Sequence, residues 1–388
     1  MLAPLAALLS LTVPSISAHS HAAPATPVDV STEAWFTKYG AQDDLGYTGP
    51  LSFNHLPYAR CLEDASRAFD IALLGMPFDT TTSYRPGARF GPQAIRVGSG
   101  SNGYTLAWDH SALDWGARIM DCGDVPTTMM DNAMAIDQME VAYSTLLGRP
   151  VSGETKASTA ALSKDGQEHP RIVTLGGDHT IVLPILRALY KVYGPISVIH
   201  FDAHYDTAAV EHIQGPGRIS HGSYFTLAHE EGLLTNTSIH GGIRQKSSGC
   251  SRARWLLSTT RQSVRRDLGG GPGRLRDRGC HPKDQGTRRQ HPVYLSLDID
   301  TRIDPGWPPP VPGTPEIGGW TTREMKRIIR GLAGLNFVGA DVVEVAPAYD
   351  IAEITSRAAA GLVSDFLVMM QADEPPRPHA GPFLELWN

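Results

Sequence analysis

Short apolar runs alternate with longer amphipathic segments along most of the chain. Apolar runs bounded by turn residues predict buried strands, and segments with apolar positions about three and four residues apart predict helices. Strands are predicted at 71–78, 171–177, 196–204, 238–244, 293–300 and 337–347. Helices are predicted at 132–147, 180–194, 224–234, 321–334 and 350–371. Strands that alternate with helices predict an α/β fold, in which helices cover both faces of a mainly parallel sheet.

The beginning of the chain has a different pattern. An apolar run from Leu2 to Val13 is followed by small residues, so residues 1–23 resemble a secretory signal peptide. The run is too short to span a membrane, and no later stretch reaches about 18 apolar residues, so we expect no membrane helix. A secreted protein is predicted, and the glycosylation triplet Asn236-Thr237-Ser238 agrees with this. The alternative is a wrongly assigned start that leaves a merely apolar tail.

Composition excludes several classes of protein. With 388 residues and 41% hydrophobic content, the chain can bury a large core and does not have the composition of a disordered protein. Its formal net charge of -6 argues against a general nucleic-acid binder, which usually carries a basic excess. The cysteines form no CxxC pair and no framework spacing, so we expect neither a disulfide scaffold nor a thiolate zinc site. They are Cys61, Cys122, Cys250 and Cys280.

Polar side chains with catalytic chemistry concentrate where predicted strands end. Asp202, His204 and Asp206 stand at every second position around the end of the strand at 196–204. Side chains two residues apart on an extended segment lie on one side, so two carboxylates and an imidazole are predicted to share a crevice. Open α/β sheets bind ligands at the carboxyl ends of their strands. Such a group of side chains is costly to pack together without a cation, so we expect a bound metal.

Two other strand ends repeat this arrangement. Asp298 and Asp300 end the strand at 293–300, and His179 follows a Gly-Gly turn after the strand at 171–177. Each motif alone also fits an ordinary turn or helix cap, but all three in one α/β chain make that explanation weak. Oxygen and nitrogen ligands without a thiolate favour Mn²⁺, and six of them suit two ions with a bridging carboxylate. The predicted metal ligands are His179, Asp202, His204, Asp206, Asp298 and Asp300.

These motifs also carry a family resemblance. The chain resembles the ureohydrolases, the family of arginase and agmatinase, over roughly 70–243 and 292–372. Ile219-Ser220 stand where an arginase would have an Asn before the His-Gly pair, so the resemblance is closer to agmatinase. The matching segments are LGGDHT (175–180), HFDAHYDT (200–207), SLDID (296–300), PGARFGPQAIR (86–96), HGSYF (221–225) and DVVEVAPAYD (341–350).

The resemblance implies a fold, a reaction and residue roles. The fold would be the three-layer α/β sandwich of the arginase/deacetylase type, with residues 24–388 as a single ureohydrolase domain. The reaction would be hydrolysis of the guanidinium group of agmatine to putrescine and urea, with two Mn²⁺ ions activating water. His221 matches the proton-relay histidine and Glu344 the carboxylate that binds the guanidinium group. Asp206 would also receive the proton destined for the leaving amine. Relatives commonly form rings, so a homotrimer or homohexamer is expected.

Residues 244–290 depart from this resemblance. They contain 13 basic and three acidic residues, a net charge of +10 that leaves -16 for the rest of the chain. No helical or strand period persists there, where relatives have an acidic, amphipathic stretch. The abrupt boundaries favour a reading-frame or splice error over a basic arm that binds anionic partners. The loop at 301–316 is also longer than the family pattern, and it would lie beside the metals.

Three functional hypotheses follow. The first is an agmatinase-like enzyme that acts on a small guanidino substrate and binds neither nucleic acid nor membrane. The second is a related guanidino-acid hydrolase of the guanidinobutyrase type, since the loops that select the substrate tail are the least legible part. The third is a catalytically impaired ureohydrolase-like protein, which the basic segment favours. Nucleic-acid binding through that segment is a distant alternative that strong salt-dependent binding would have to support.

Overall fold

A seven-stranded parallel sheet forms the centre of the described part of the chain. The computed structural model describes residues 51–100, 108, 111–152, 158–208, 219–244, 291–301, 314–316 and 318–376. In chain order the strands are β1 (Ile71–Met76), β2 (Ile119–Asp124), β3 (Arg171–Gly176), β4 (Ser197–Phe201), β5 (Ile239–Gly241), β6 (Val293–Asp298) and β7 (Phe337–Val343). Their order across the sheet is β2-β1-β3-β7-β6-β4-β5. All neighbouring pairs are parallel, so every strand ends at the same edge of the sheet.

Helices cover both faces of this sheet. On one face, Ala72 and Leu74 of β1 pack in a core with three helices, and on the other Ile71 and Leu73 pack with three more. This alternation follows from the period of two in a strand, which gives each face its own set of apolar side chains. The first group consists of α2 (Asn132–Leu147), α3 (Val182–Tyr193) and α4 (Tyr224–Glu230). The second consists of α1 (Gly91–Ser99), α5 (Thr322–Arg330) and α6 (Ile354–Met369).

The predicted α/β fold with a parallel sheet and helices on both faces is confirmed. The helix predicted at 132–147 has these bounds in the structure, and the helix predicted at 321–334 ends earlier, at Arg330. Thr321 caps its amino end, and Glu324 closes the capping box. Among the strands and α-helices of the described residues, β2 and α1 were not predicted from the sequence.

Strand β2 escaped prediction because it buries a charge. Asp121 lies in its middle with no exposed surface, and both of its carboxylate oxygens accept hydrogen bonds from Arg96 of α1, at 2.8 and 2.9 Å. A strand that carries a buried carboxylate interrupts the apolar run by which strands are recognised. The ion pair compensates for burial of that charge and joins β2 to α1.

The cysteine spacings predicted no disulfide scaffold, but one pair of cysteines does form a disulfide. Cys61 and Cys122 form a disulfide across 61 residues of sequence. The chain around Cys61 runs beside β2, because the Ala59 N–H donates to the Asp121 carbonyl and the Asp121 N–H donates to the Pro57 carbonyl. This pairing brings the two thiols together although neither belongs to a recognisable spacing. Cys250 and Cys280 lie outside the described residues.

The segments that the sequence singled out as anomalous are mostly outside the described residues. These are the signal-peptide segment 1–23, residues 245–290 of the basic segment, and positions 302–313 of the loop that follows Asp300. Among the residues that the structure does describe, no helix has the length and apolar character needed to cross a membrane.

Candidate metal centre

The predicted site residues gather at the carboxyl edge of four adjacent strands. His179 follows β3, Glu344 follows β7, Asp298 ends β6, and Asp202 follows β4. These strands are consecutive neighbours in the order β3-β7-β6-β4, so residues far apart in sequence meet at one place. Gly177 permits the approach on the β3 side, since a Cβ there would lie 1.9 Å from the Phe78 carbonyl oxygen. The site therefore lies where an open parallel sheet places its ligands.

One half of the cluster forms around His179. Its Nδ1 lies 3.1 Å from Asp202 Oδ2, 2.9 Å from Asp206 Oδ2 and 3.4 Å from Asp298 Oδ2. The opposite ring nitrogen, Nε2, lies 2.8 Å from the Ser296 hydroxyl and 2.9 Å from the Tyr224 hydroxyl. Because Nε2 faces hydroxyl groups, Nδ1 is the nitrogen available to a metal.

The second half forms around His204. Its Nδ1 lies 2.8 Å from Asp300 Oδ2 and 3.3 Å from Asp202 Oδ1. Asp300 Oδ1 accepts a hydrogen bond from the Ala203 N–H at 2.9 Å, which fixes the carboxylate against the chain segment that carries His204. On the outer side, His204 Nε2 lies 3.7 Å from Glu316 Oε1. The ring of His204 is therefore bordered by Asp202 and Asp300 at Nδ1 and by the loop residue Glu316 at Nε2.

Asp202 belongs to both halves, with Oδ2 toward His179 and Oδ1 toward His204. The donor set fits divalent cations, because it offers hard oxygen and imidazole ligands and no thiolate, and Asp202 would contribute to the sites in both halves. Several of its buried atoms have no hydrogen-bond partner in the described part of the chain, which is expected of atoms that coordinate a cation. They include His179 Nδ1, Asp202 Oδ2 and Asp300 Oδ2.

The electrostatics of the cluster also call for positive charge. Burial and the Asp202 charge raise the pKa of Asp300 to about 7, and burial with the charges of Asp300 and Asp202 raises the pKa of Asp298 well above its usual range. Burial lowers the pKa of His204, but the Asp202 and Asp300 carboxylates beside its ring outweigh burial and raise the pKa to about 12. Asp298 and Asp300 thus bind protons more readily than ordinary carboxylates, and a bound cation would replace those protons.

The candidate ligands converge in a different way from the one that the sequence pattern predicted. Strand β4 ends at Phe201, so Asp202, His204 and Asp206 lie in the following loop rather than on one side of an extended segment. Asp206 has a φ of +50°, and Asp300 lies in a 3₁₀ turn after β6. The six predicted ligands come together all the same, because the loops turn at the sheet edge. A positive φ in a non-glycine residue is a strained conformation typical of functional sites.

His221 and Glu344 form a pair beside the cluster. His221 Nδ1 lies 3.0 Å from Glu344 Oε1, and the same oxygen accepts the His179 N–H at 3.0 Å. Glu344 Oε2 is buried and has no hydrogen-bond partner among the described residues. Glu344 has a φ of +62°, so its backbone is also in the left-handed region. One carboxylate oxygen is thus held by the protein, and the other is available to a ligand.

The far side of His221 is closed by Ser83. The Ser83 N–H donates to His221 Nε2 at 3.0 Å, and its hydroxyl oxygen lies 2.8 Å from the same nitrogen. This geometry places the single proton of a neutral His221 on Nδ1, toward Glu344. Burial lowers the pKa of His221, but the hydrogen bond and charge of Glu344 outweigh it and raise the pKa to about 9. A protonated His221 carries a hydrogen on Nε2 as well as on Nδ1. Because the Ser83 N–H points at Nε2, protonation requires this N–H to move away.

Sequence reasoning missed several residues at the site. His200 lies beside the His179 half and is grouped there with His179, Asp202 and Asp206, with ligand atoms within 4.8 Å of one another. The period of two that selected Asp202 also includes His200, so the signal was present. Ser296 and Tyr224, which contact His179, carry no signal of their own because hydroxyl residues on strands and helices are common.

Arg244 also belongs to the site, although it is the first residue of the anomalous basic segment. Its guanidinium group donates to the carbonyl oxygens of Asp300 at 2.7 Å and Glu316 at 2.8 Å. It also donates to the Gly242 and Thr301 carbonyls, at 3.0 and 3.3 Å. Arg244 thus ties together the chain segments around the His204 half.

Comparisons with known proteins agree with this geometry. The arginase family model matches residues 69–369. "Putative agmatinase 1" of Schizosaccharomyces pombe is 45% identical over 344 residues, which cover 85% of this chain and 84% of that protein. An agmatinase of an Enterobacter species is 36% identical, in a match that covers 78% of this chain and 88% of that protein. The solved structure of proclavaminate amidino hydrolase from Streptomyces clavuligerus has a TM-score of 0.67 and 30% identity, with coverage of 85% and 99%. The chain belongs to the arginase family, whose enzymes hydrolyse guanidino groups at a binuclear metal site.

Proposed function

We propose that the protein is an agmatinase, which hydrolyses agmatine to putrescine and urea. The observation that carries this proposal is the buried cluster in which Asp202 joins two sets of ligands beside the unpaired Oε2 of Glu344. The agmatinase names of its relatives support the choice of substrate. In this reaction the oxygen of water adds to the guanidinium carbon. The bond between that carbon and the nitrogen on the alkyl tail of agmatine breaks, and this nitrogen takes up a proton and leaves as the amine of putrescine.

The proposed cofactor is a pair of Mn²⁺ ions. Bound at this site, such a pair lowers the pKa of water and so supplies a nucleophile at neutral pH. Manganese is supported by ligands that are oxygens and imidazole nitrogens only. The residues that would hold the ions are His179, Asp202, His204, Asp206, Asp298 and Asp300.

We assign three residues of the chain to substrate binding and proton transfer. Glu344 Oε2 accepts hydrogen bonds from the guanidinium group and so orients its carbon toward the cluster. Asp206, whose Oδ2 lies 2.9 Å from His179 Nδ1, receives the proton that is passed to the leaving amine. His221 relays protons beside them, since its Nδ1 shares a hydrogen bond with Glu344 and its Nε2 can be uncovered by movement of Ser83.

The experiment is a comparison of substrates with the purified, manganese-loaded protein. We expect equal amounts of urea and putrescine from agmatine, and much slower release of urea from arginine. The absence of urea from agmatine, arginine and guanidinobutyrate, with two Mn²⁺ bound per chain, would overturn the proposal. That outcome would favour the catalytically impaired product suggested by residues 244–290 and 301–316.

A second candidate, a guanidino-acid hydrolase, is favoured by Arg85. Its guanidinium carbon lies 4.9 Å from the ring centroid of Tyr84 and 5.3 Å from that of Tyr349. Arg85 is two residues from Ser83, which contacts His221, so a cation is placed on the loop that reaches the site. A cation there favours a substrate with a carboxylate tail over one with an ammonium tail.

The variant Arg85→Gln separates these two substrate classes. If a carboxylate tail is bound, the change lowers kcat/KM for guanidinobutyrate about tenfold and leaves agmatine turnover unchanged or faster. If agmatine is the substrate, guanidinobutyrate is a poor substrate before and after the change.

We also propose that the protein is secreted. The apolar run of residues 2–13 supports this, and so does the disulfide Cys61–Cys122, because structural disulfides persist mainly in oxidising compartments. Asn236 is exposed and heads the one Asn-X-Ser/Thr triplet of the chain. Expressed in yeast, the full chain is expected in the medium with one deglycosylase-sensitive glycan that Asn236→Gln abolishes. An unglycosylated protein retained in the cells would contradict secretion.

A homotrimer or homohexamer is the assembly that we propose on the strength of the family resemblance. Light scattering of the purified protein measures it directly. A mass that corresponds to a single chain over a tenfold range of concentration would contradict it.

A further inference from the structure

Two buried histidines lie side by side behind the metal centre. His200 on β4 and His240 on β5 are register partners in the sheet, and their Nδ1 atoms are 2.7 Å apart. His200 has no exposed surface and His240 is 2% exposed. On its other side, His200 Nε2 lies 3.0 Å from Asp202 Oδ2, the oxygen that also faces His179. The pair therefore links the sheet to the carboxylate shared by both halves.

Two arrangements of protons on a neutral histidine pair fit the 2.7 Å contact between the two Nδ1 atoms, and the contact with Asp202 distinguishes them. Either His240 donates its Nδ1–H to His200, so that His200 carries a proton on Nε2, or His200 donates and its Nε2 carries a lone pair. In the second case the lone pair would face a carboxylate oxygen at 3.0 Å, which is repulsive. In the first case an N–H faces that oxygen at the same distance, which is attractive. The geometry favours the first arrangement.

We infer that His200 is a positioning residue that holds Asp202 through Nε2–H, and that His240 fixes its tautomer through Nδ1–H. This inference rests on the proposed metal centre. A carboxylate that belongs to two metal sites must keep a fixed orientation. A hydrogen bond from a neighbouring side chain fixes that orientation without using a coordination position of the metal. The register of β4 and β5 supplies the rigidity, since both histidines stand on paired strands.

A different role is chemically available to His200, that of a direct metal ligand. Its Nε2 is buried with no hydrogen-bond partner recorded among the described residues, and the ligand atoms of His200, His179, Asp202 and Asp206 lie within 4.8 Å of one another. The two roles require opposite tautomers, because a ligand needs the lone pair on Nε2 and a positioning residue needs the proton there. Side chains that reproduce a single nitrogen of the ring can therefore distinguish them.

The experiment measures Mn²⁺ binding by the full chain, with free Mn²⁺ followed by electron paramagnetic resonance. The variant His200→Gln keeps an N–H donor near the position of Nε2, whereas His200→Asn keeps one near Nδ1 and does not reach Asp202. We expect His200→Gln to bind Mn²⁺ within about threefold of wild type and His200→Asn to bind about 10- to 100-fold more weakly. The matched pair on the other strand is His240→Asn, which keeps an Nδ1-like donor, and His240→Leu, which does not. Only His240→Leu is expected to weaken binding, by about tenfold.

The outcomes separate this inference from the proposed function. Equal and large losses in His200→Gln and His200→Asn would show that His200 is a ligand, and unchanged binding in every variant would show no role. Either result overturns the inference while wild-type binding of two Mn²⁺ ions stands. A wild-type protein that binds no Mn²⁺ overturns the metal centre itself. Circular dichroism of each metal-free variant verifies folding, and the His240 pair carries the test if His200→Asn does not fold.

Discussion

The two halves of the metal centre are built from different kinds of structure. Around His179 the side chains are buried, and its Nε2 rests against hydroxyl groups from β6 and α4. Around His204 the side chain is 18% exposed and faces Glu316, whose side chain is 42% exposed. The first half is thus held by the packed core, and the second is held by loops.

This difference indicates how sequence changes act on the site. Changes in the loops around Thr301 and Glu316 bear on the His204 half, where Arg244 joins the segments through their carbonyl groups. The His179 half has no such dependence, because Ser296 and Tyr224 stand on regular elements. Arg244, Thr301 and Glu316, which are described residues of the basic segment and of the longer loop, thus all belong to the half that has less support from the core.

The largest effect is expected from the residue that the halves share. Asp202→Asn removes the carboxylate charge that faces both His179 and His204, so binding of both Mn²⁺ ions should fall by more than about 100-fold. Urea release should be lost with them. The metal content after dialysis, measured by mass spectrometry, provides the check. A variant that retains one tightly bound ion would contradict the shared role of Asp202.

The next effect separates the halves. His179→Asn and His204→Asn each remove one imidazole, so each is expected to retain one Mn²⁺ per chain after dialysis. The exchange-coupled resonance spectrum of a manganese pair should become that of a single ion in both. If either variant loses both ions, the halves are not independent, and the comparison between them fails.

A smaller effect is expected on the pH dependence of stability, through the buried residue Asp178. Burial and the charge of Glu344 raise the pKa of Asp178 to about 6, whereas an unfolded chain leaves an aspartate near 3.8. A raised folded pKa contributes stability that is complete below about 3.8 and is lost as the pH rises through about 6. Asp178→Asn has no carboxylate to titrate, so it avoids this loss. The free energy of unfolding of the variant minus that of wild type should therefore rise by about 2 to 3 kcal/mol from pH 4 to pH 8.

The measurement for Asp178 is chemical unfolding of the metal-free protein at both pH values. Asp137→Asn, an exposed position on α2, is the matched control. The prediction does not hold if Asp178→Asn and the control change by the same amount between the two pH values.

The smallest effect tests the supports of each half. Arg244→Gln breaks hydrogen bonds to the Asp300 and Glu316 carbonyls, so it should weaken one of the two Mn²⁺ sites about tenfold. Tyr224→Phe removes a hydroxyl 2.9 Å from His179 Nε2 and should weaken the other site by a similar or smaller factor. Calorimetric titration with Mn²⁺ resolves the two sites. Equal weakening of both sites by Arg244→Gln would contradict the division into halves.

Much of the architecture and the convergence of the six candidate ligands could be predicted from the sequence, because both depend on local patterns. Apolar runs ended in polar motifs, and parallel strands bring such ends to one edge. The turn geometry could not be predicted in this way. Strand β4 ends at Phe201 before its ligands begin, and Asp206 takes a positive φ that only the surrounding structure imposes.

The features that sequence patterns missed depend on pairing between distant residues. Strand β2 carries Asp121, whose charge is neutralised by Arg96 from another element. Cys61 meets Cys122 because residues 57–59 pair with that same strand. His240 meets His200 through the register of β4 and β5. Each of these contacts joins residues that only the fold brings together, so no local sequence pattern predicts it.

If Asp202 joins two metal sites at which a guanidino substrate is hydrolysed, the manganese-loaded protein must release urea from agmatine. The purified chain, loaded with Mn²⁺ and then dialysed, should hold two ions and release urea and putrescine in equal amounts. Asp202→Asn, treated in the same way, should hold neither ion and release no urea. Two bound ions without hydrolysis of agmatine, or urea release by Asp202→Asn at the wild-type rate, would contradict the account.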